Sequence, residues 1–291
     1  MVPINLFDLH CDTVHRAFTE GMSLYDGKMH INLKKAEYIK NYKQCFAVWI
    51  DDKFKGGSAF SFCNKTIDFY CEKLKKEKTD NLTPVLTVEN GSALMGDTDN
   101  VSYFAGRGVK MLTLTWNGEN ELGFGVAAES GKGLKAFGKA AIAEMEKQGI
   151  TVDVSHLNER GFGDVVGFAS KPFVASHSGC FSLVPHCRNL KDWQIKEIIN
   201  SGGIIGVPFC ESFTGGGKDK LYRHICHILS LGGENTVALG SDFDGCAVHP
   251  ELSGIEKMGE LYCFLCESDM GKEITDKVFH LNAEKFFKDK L

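Results

Sequence analysis

Residues 151–177 read TVDVSHLNERGFGDVVGFASKPFVASH, and in them two extended runs flank a helical one. Thr151–Val154 and Phe173–Ser176 are short, apolar and rich in β-branched or aromatic residues, the composition of buried strands. Asn158–Ala169 between them has helix character, and a helical crossover is what joins neighbouring parallel strands. Each strand also hands directly on to an imidazole: His156 follows Asp153-Val-Ser, and His177 follows Ser176.

Outward from this unit the same alternation recurs. Further strands are expected at Ile4–Asp8, Gln44–Ile50, Leu82–Val88, Val109–Thr115, Gly203–Val207 and Thr236–Gly240, making eight. Helical spacing marks Cys63–Lys78, Leu134–Gln148, Asp192–Asn200, Lys218–Leu231, Ile255–Ser268 and Thr275–Lys288. Asp51–Ser61 and Gly118–Lys132 read as loops. Eight strands alternating with helices in 291 residues fit a closed parallel barrel or a long doubly wound sheet. No low-complexity stretch or linker divides the chain, so one domain is expected over residues 1–291.

The polar residues fall at one end of these strands. The first strand leads into His10-Cys-Asp12 and the third into Glu89, while the eighth leads into Asp242-Phe-Asp244-Gly245. With His156 and His177, five strands deliver titratable side chains at the same end. In a (β/α)8 barrel that end gathers them on one rim. The fold class is therefore read as α/β, a TIM-like (β/α)8 barrel.

His10 and Asp12, spaced i, i+2 on an extended segment, are expected to project from one side of it. With Glu89, His156 and His177 they form a nitrogen and oxygen donor set suited to zinc or a similar divalent ion. Five ligands exceed what one catalytic zinc takes and suit two ions sharing a bridging carboxylate. His30, His224, His227, His249 and His280 read as structural or solvated, and His186 stays outside the ligand set. The pair Cys263-Phe-Leu-Cys266 reads as core packing.

A net charge of −5 gives no reason to expect nucleic acid or an anionic membrane as partner. No apolar run is long enough to span a bilayer, and the first residues lack the pattern of a secretory signal. Eleven scattered Cys suit free thiols in a reducing compartment, so a cytoplasmic location is expected.

Together the segments Asp8-Leu-His-Cys-Asp12, Thr87-Val-Glu89, Arg107–Thr115, Asp153-Val-Ser-His156, Ser176-His-Ser178, Arg188-Asn189 and Asp242-Phe-Asp-Gly245 resemble the renal (membrane) dipeptidase family. The resemblance implies a dinuclear zinc dipeptidase with two Zn2+ per chain. In it His10 and Asp12 hold one ion, His156 and His177 the other, and Glu89 bridges them. It also implies that Arg188 receives the substrate's C-terminal carboxylate and that Asp242 handles protons and the free amino group. A metal-bridging hydroxide would then attack the peptide bond of a dipeptide, with a D-residue tolerated on the C-terminal side. The family's habit implies a homodimer.

The chain departs from the family pattern at Trp116, where many members place a His that touches the substrate carbonyl. Asn117 or Asn120 is then expected to supply the polar contact. Two other readings stand beside the dipeptidase: another metal-dependent hydrolase of the same barrel class, and a catalytically silent binding homologue.

Overall fold

A computed structural model describes residues 2–128, 131–288, 290 and 291. Glu129 and Ser130 of the expected loop Gly118–Lys132, and Met1 and Asp289 of the expected domain, lie outside the described residues.

Eight strands close into a barrel in chain order, and every neighbouring pair is parallel. They are β1 (Ile4–Cys11), β2 (Ile39–Trp49), β3 (Leu82–Glu89), β4 (Val109–Thr113), β5 (Thr151–Asp153), β6 (Val174–Ala175), β7 (Ile204–Val207) and β8 (Val237–Leu239). The helices are α1 (Thr13–Glu20), α2 (Gly57–Glu77), α3 (Asp99–Gly106), α4 (Ala136–Gln148), α5 (Glu159–Phe168), α6 (Asp192–Ser201), α7 (Glu211–Thr214), α8 (Gly217–Ser230), α9 (Met258–Glu267), α10 (Gly271–Asp276) and α11 (Asn282–Phe287).

The α/β alternation is punctuated where helix must turn into strand. Gly149 after α4 and Gly202 after α6 take φ of 73° and 75°, and each next strand begins two residues later. That left-handed conformation is costly for a residue with a Cβ.

Apolar residues divide between two clusters. The larger lies between strands and helices. The smaller takes Phe7, Leu9, Cys45, Val85, Met111, Val174, Ile204 and Ala238 from seven of the strands and so fills the barrel interior. The C-terminal helical segment plugs one end of this interior, with the Phe287 ring 5.5 Å from Phe7.

Strand register decides where the first motif points. Leu9 belongs to the interior cluster and Cys11 to the outer one, although strict alternation would put both on one face. The β1–β2 register shifts between Asp8 and Cys11, which accounts for the slip. The ring is closed beside it by Asp8, whose carboxylate accepts from Ser241 N at 2.7 Å and Ser241 Oγ at 2.6 Å.

Several expected bounds change. β1 runs three residues further, so His10 lies inside the strand, and Asp12 caps α1 with φ −97° and ψ 12° instead of continuing an extended segment. α2 begins at Gly57 and absorbs part of the expected loop Asp51–Ser61, because Ala59, Cys63 and Ile67 continue its buried stripe. α1, α3 and α7 were not anticipated; each is only four to eight residues long, too short for a clear period. Cys263 and Cys266 are half-buried on α9, whose core stripe is Met258, Leu261 and Leu265.

Candidate metal centre

The five strand-end side chains meet. Glu89, the last residue of β3, lies between the imidazoles with its two oxygens facing different partners. Its Oε2 is 3.4 Å from His10 Nε2, while its Oε1 is 2.8 Å from His156 Nε2 and 3.7 Å from His177 Nε2. Asp12 Oδ2 and Asp242 Oδ1 are 3.7 and 3.9 Å from His10 Nε2. All six side chains are buried.

Hydrogen bonds behind the rings assign their tautomers. Asn117 Oδ1 lies 2.8 Å from His156 Nδ1, so that nitrogen donates. His177 Nδ1 donates to Ser176 Oγ at 2.8 Å, because the Ser176 hydroxyl is itself committed to Asp153 Oδ2 at 2.6 Å. In neutral rings both Nε2 atoms therefore present lone pairs, and they are 2.9 Å apart. Burial, with Arg188 nearby, keeps both rings neutral: the pKa of His156 falls to about 4 and that of His177 well below normal.

Lone pairs at such distances from one another and from a carboxylate repel unless positive charge sits among them. Two further buried atoms, His10 Nε2 and Asp12 Oδ1, have no hydrogen-bond partner among the described residues. Burial opposes charge on His10, but Glu89 and Asp12 overcome it and hold its pKa well above normal. The donor set thus fits a cation on chemistry and on unpartnered atoms alike.

Backbone conformation aims two of these groups. His156 and Asp242 take φ of 67° and 59°, an uncommon region for residues with a Cβ. Gly245 makes room for the carboxylates: a Cβ there would stand 2.0 Å from Asp12 Oδ2 and 2.7 Å from Asp242 Oδ1. Gly245→Ala is expected to displace both and lower kcat/KM by on the order of 10²-fold with the fold intact. Steady-state kinetics beside a thermal melt check it.

Beside the cluster, Asp12, His15, Trp49, Glu89, Trp116 and Asp242 line part of a cavity of about 310 Å3. Arg188 sits in the wall of an adjoining 880 Å3 cavity that shares His156. It is 5% exposed, its Nε lacks a hydrogen-bond partner among the described residues, and its guanidinium packs over Phe213 at 5.4 Å. Its only side-chain hydrogen bond among the described residues is from Nη2 to His177 O at 3.3 Å.

Asn117 supports His156, and Asn120 is occupied by the backbone of Leu114, Leu122 and Gly123 and by Asn90. Three contributors escaped the sequence reading: His15, Trp49 and the anchoring role of Asp153. His15 follows Asp12 by three residues, the spacing that would have put it on the same face of α1.

The remaining imidazoles stand apart from the cluster. His30 Nδ1 accepts from Asp244 N, and His227, His249 and His280 face Asp192, Glu251 and Glu284. His186 Nδ1 accepts from Arg188 N at 3.2 Å, steadying the arginine's loop.

His224 Nδ1 accepts from Cys180 N at 2.9 Å, which requires a neutral ring, and burial depresses its pKa to about 4. The unfolded chain binds this proton near the ordinary value of 6.5. The contribution of His224 to stability is therefore complete above about pH 6.5 and is lost as pH falls towards 4, by at most about 3 kcal/mol. His224→Asn should flatten the slope of urea-derived stability in that window by up to about 1.4 kcal/mol per pH unit.

Comparison with known proteins agrees with the resemblance. A family model described as membrane dipeptidase (peptidase family M19) matches residues 1–290. An uncharacterised protein encoded beside a pqq gene of Klebsiella pneumoniae is 32% identical over 232 residues, which are 75% of this chain and 85% of that one. A Schizosaccharomyces pombe protein described as an uncharacterised dipeptidase is 32% identical over 193 residues, 62% of this chain but only 46% of its own length. Among solved structures, a Rhodobacter sphaeroides metallopeptidase liganded with a phosphinate mimic of L-Ala-D-Ala superposes with a TM-score of 0.91. It is 22% identical, and the match covers 99% of this chain and 100% of that one.

Proposed function

Because the chain belongs to the membrane dipeptidase family, we propose that it is a dinuclear zinc dipeptidase acting on dipeptides, including those with a C-terminal D-residue. The observation that carries this reading is Glu89 with its two oxygens turned to His10 on one side and to His156 and His177 on the other. His10 and Asp12 would hold one ion, His156 and His177 the second, with Glu89 shared. Bound there, the ions supply Lewis acidity towards the scissile carbonyl and an activated water at neutral pH.

The chain's own residues supply the rest. Arg188 brings a buried, fixed positive fork with unspent donors, suited to a substrate carboxylate. Burial, reinforced by Asp12, raises the Asp242 carboxyl well above normal, so it can hold a proton and pass it to the leaving amine. Trp49 and Trp116 pack edge to face at 4.9 Å and wall the cavity, reducing solvent access to the reacting bond. Trp116 offers an N–H donor but no base.

The same reading takes residues 1–291 as one catalytic domain. Eleven free thiols support a reducing cytoplasmic setting, and no helix among the described residues is long and apolar enough to cross a membrane. The homodimer rests on the family resemblance and is read by sedimentation.

The test is hydrolysis of L-L and L-D dipeptides before chelation, after it, and after zinc restoration. Arg188→Ala should raise KM by about 10- to 100-fold with kcat less affected, the loss of a charged hydrogen-bonded contact. A dipeptide with an amidated C-terminus should be as poor a substrate for the wild type. Turnover that survives chelation, or none from protein verified to hold two ions, would overturn the reading. The second result would favour the silent homologue that Trp116 suggests.

A further inference from the structure

Two loops on the same rim bring a second donor set together. Cys210 lies three residues beyond β7 and opens α7, while Cys246 lies seven residues beyond β8. An antiparallel bridge between Cys210 and Val248, with Glu211 N donating to Ala247 O at 3.0 Å, zips the loops side by side. Cys210 Sγ, Cys246 Sγ and an Asp242 carboxylate oxygen consequently lie within 4.8 Å of one another.

We propose that Cys210, Cys246 and Asp242 form a separate site for a thiophilic cation such as Cd2+ or excess Zn2+, whose occupation withdraws Asp242 from the reaction. The second half rests on the role proposed above for Asp242.

The geometry is close to what such an ion needs. Tetrahedral bonds of about 2.3 Å to sulfur place ligands roughly 3.8 Å apart, a spacing compatible with donors that all lie within 4.8 Å of one another. Two sulfurs and one carboxylate are a softer set than the neighbouring imidazoles and carboxylates, which favours a different class of ion. Backbone pairing fixes Cys210 and holds Ala247 and Val248, which directly follow Cys246, against it. Access exists as well: Cys210 is buried, but Cys246 is half-buried and faces the cavity.

The local bonds are ones an ion can replace. Cys246 Sγ donates weakly to Asp242 O at 3.3 Å, and Cys210 Sγ lies 3.1 Å from Ser212 Oγ. The adjacent Cys246 side chain lowers the pKa of the Cys210 thiol to about 6, which eases its ionisation. Binding releases the remaining thiol protons to solvent.

Asp242 is the link between the two sites. The same residue stands with His10 and Asp12 in a second group of mutually close donors. One carboxylate cannot serve an ion beside the cysteines and also exchange protons at the first centre, so filling the thiol site stops turnover without emptying that centre.

The experiment titrates Cd2+ into full-length protein with its principal centre loaded with zinc and its thiols kept reduced by a phosphine. The readouts are the ultraviolet thiolate-to-cadmium charge-transfer band and bound metal after dialysis. The wild type should show a two-thiolate band saturating at one Cd2+ per chain, with at least a tenfold loss of affinity in both Cys210→Ser and Cys246→Ser. Dipeptide turnover should fall over the same cadmium range, and Cys210→Ser should retain turnover and resist cadmium by a similar factor. A band that both variants leave unchanged overturns the site, since it then arises from other thiols. A normal band with undiminished turnover overturns the coupling to Asp242. If no dipeptide is turned over at all, the band and its loss in the variants still decide the site.

Discussion

Replacing Glu89 with Gln should remove at least about three orders of magnitude from kcat/KM, several kcal/mol of barrier, together with most of the bound metal. The substitution keeps size and shape but converts an anion facing three imidazoles into a neutral amide. Among the described residues, no other carboxylate pairs with His10 on one side and with His156 and His177 on the other. His10 would lose its principal carboxylate and much of its attraction for positive charge. Metal content by atomic emission, kinetics and a melting curve separate the possibilities. Full turnover with full metal content would remove Glu89 from the centre, and a collapsed melt would instead mark it as structural.

The second large effect concerns a residue that touches no substrate. Asp153, at the end of β5 and fully buried, accepts four hydrogen bonds. Ser155 N and Ser176 N donate to Oδ1 at 3.0 Å each, and Thr113 Oγ1 and Ser176 Oγ to Oδ2 at 2.6 Å each. It thereby ties β4 and the turns that carry His156 and His177 to one point. Asp153→Ala strands four donors in the barrel interior and should cost about 3–5 kcal/mol of stability, the scale of breaking a buried charged network. Activity should fall as well, because Ser176 would no longer be held as acceptor for His177 Nδ1. Asp153→Asn retains some acceptors and should fall between the two. Urea denaturation gives the stability term, and a change under about 1 kcal/mol for the Ala variant would refute the anchoring role.

The eight strands, their order and the rim on which the polar residues gather were legible in the chain itself. Strand and helix periods are local properties, and parallel β/α alternation leaves few ways to close a sheet. His10, Glu89, His156, His177 and Asp242 could be named because each follows an apolar run whose end the local pattern marks. What the local pattern could not determine is where a side chain points once neighbours impose register. The slip in β1 between Asp8 and Cys11 separates Leu9 and Cys11 onto opposite faces. The left-handed turns at His156 and Asp242 aim residues that no propensity would put there. The contributions of His15 and Trp49 to the cavity depend on α1 and β2 packing together. The meeting of Cys210 with Cys246 joins two loop positions separated in the chain by two helices and a strand. Such juxtapositions are long-range, fixed by barrel closure and by backbone bonds between loops, so only the tertiary structure decides them.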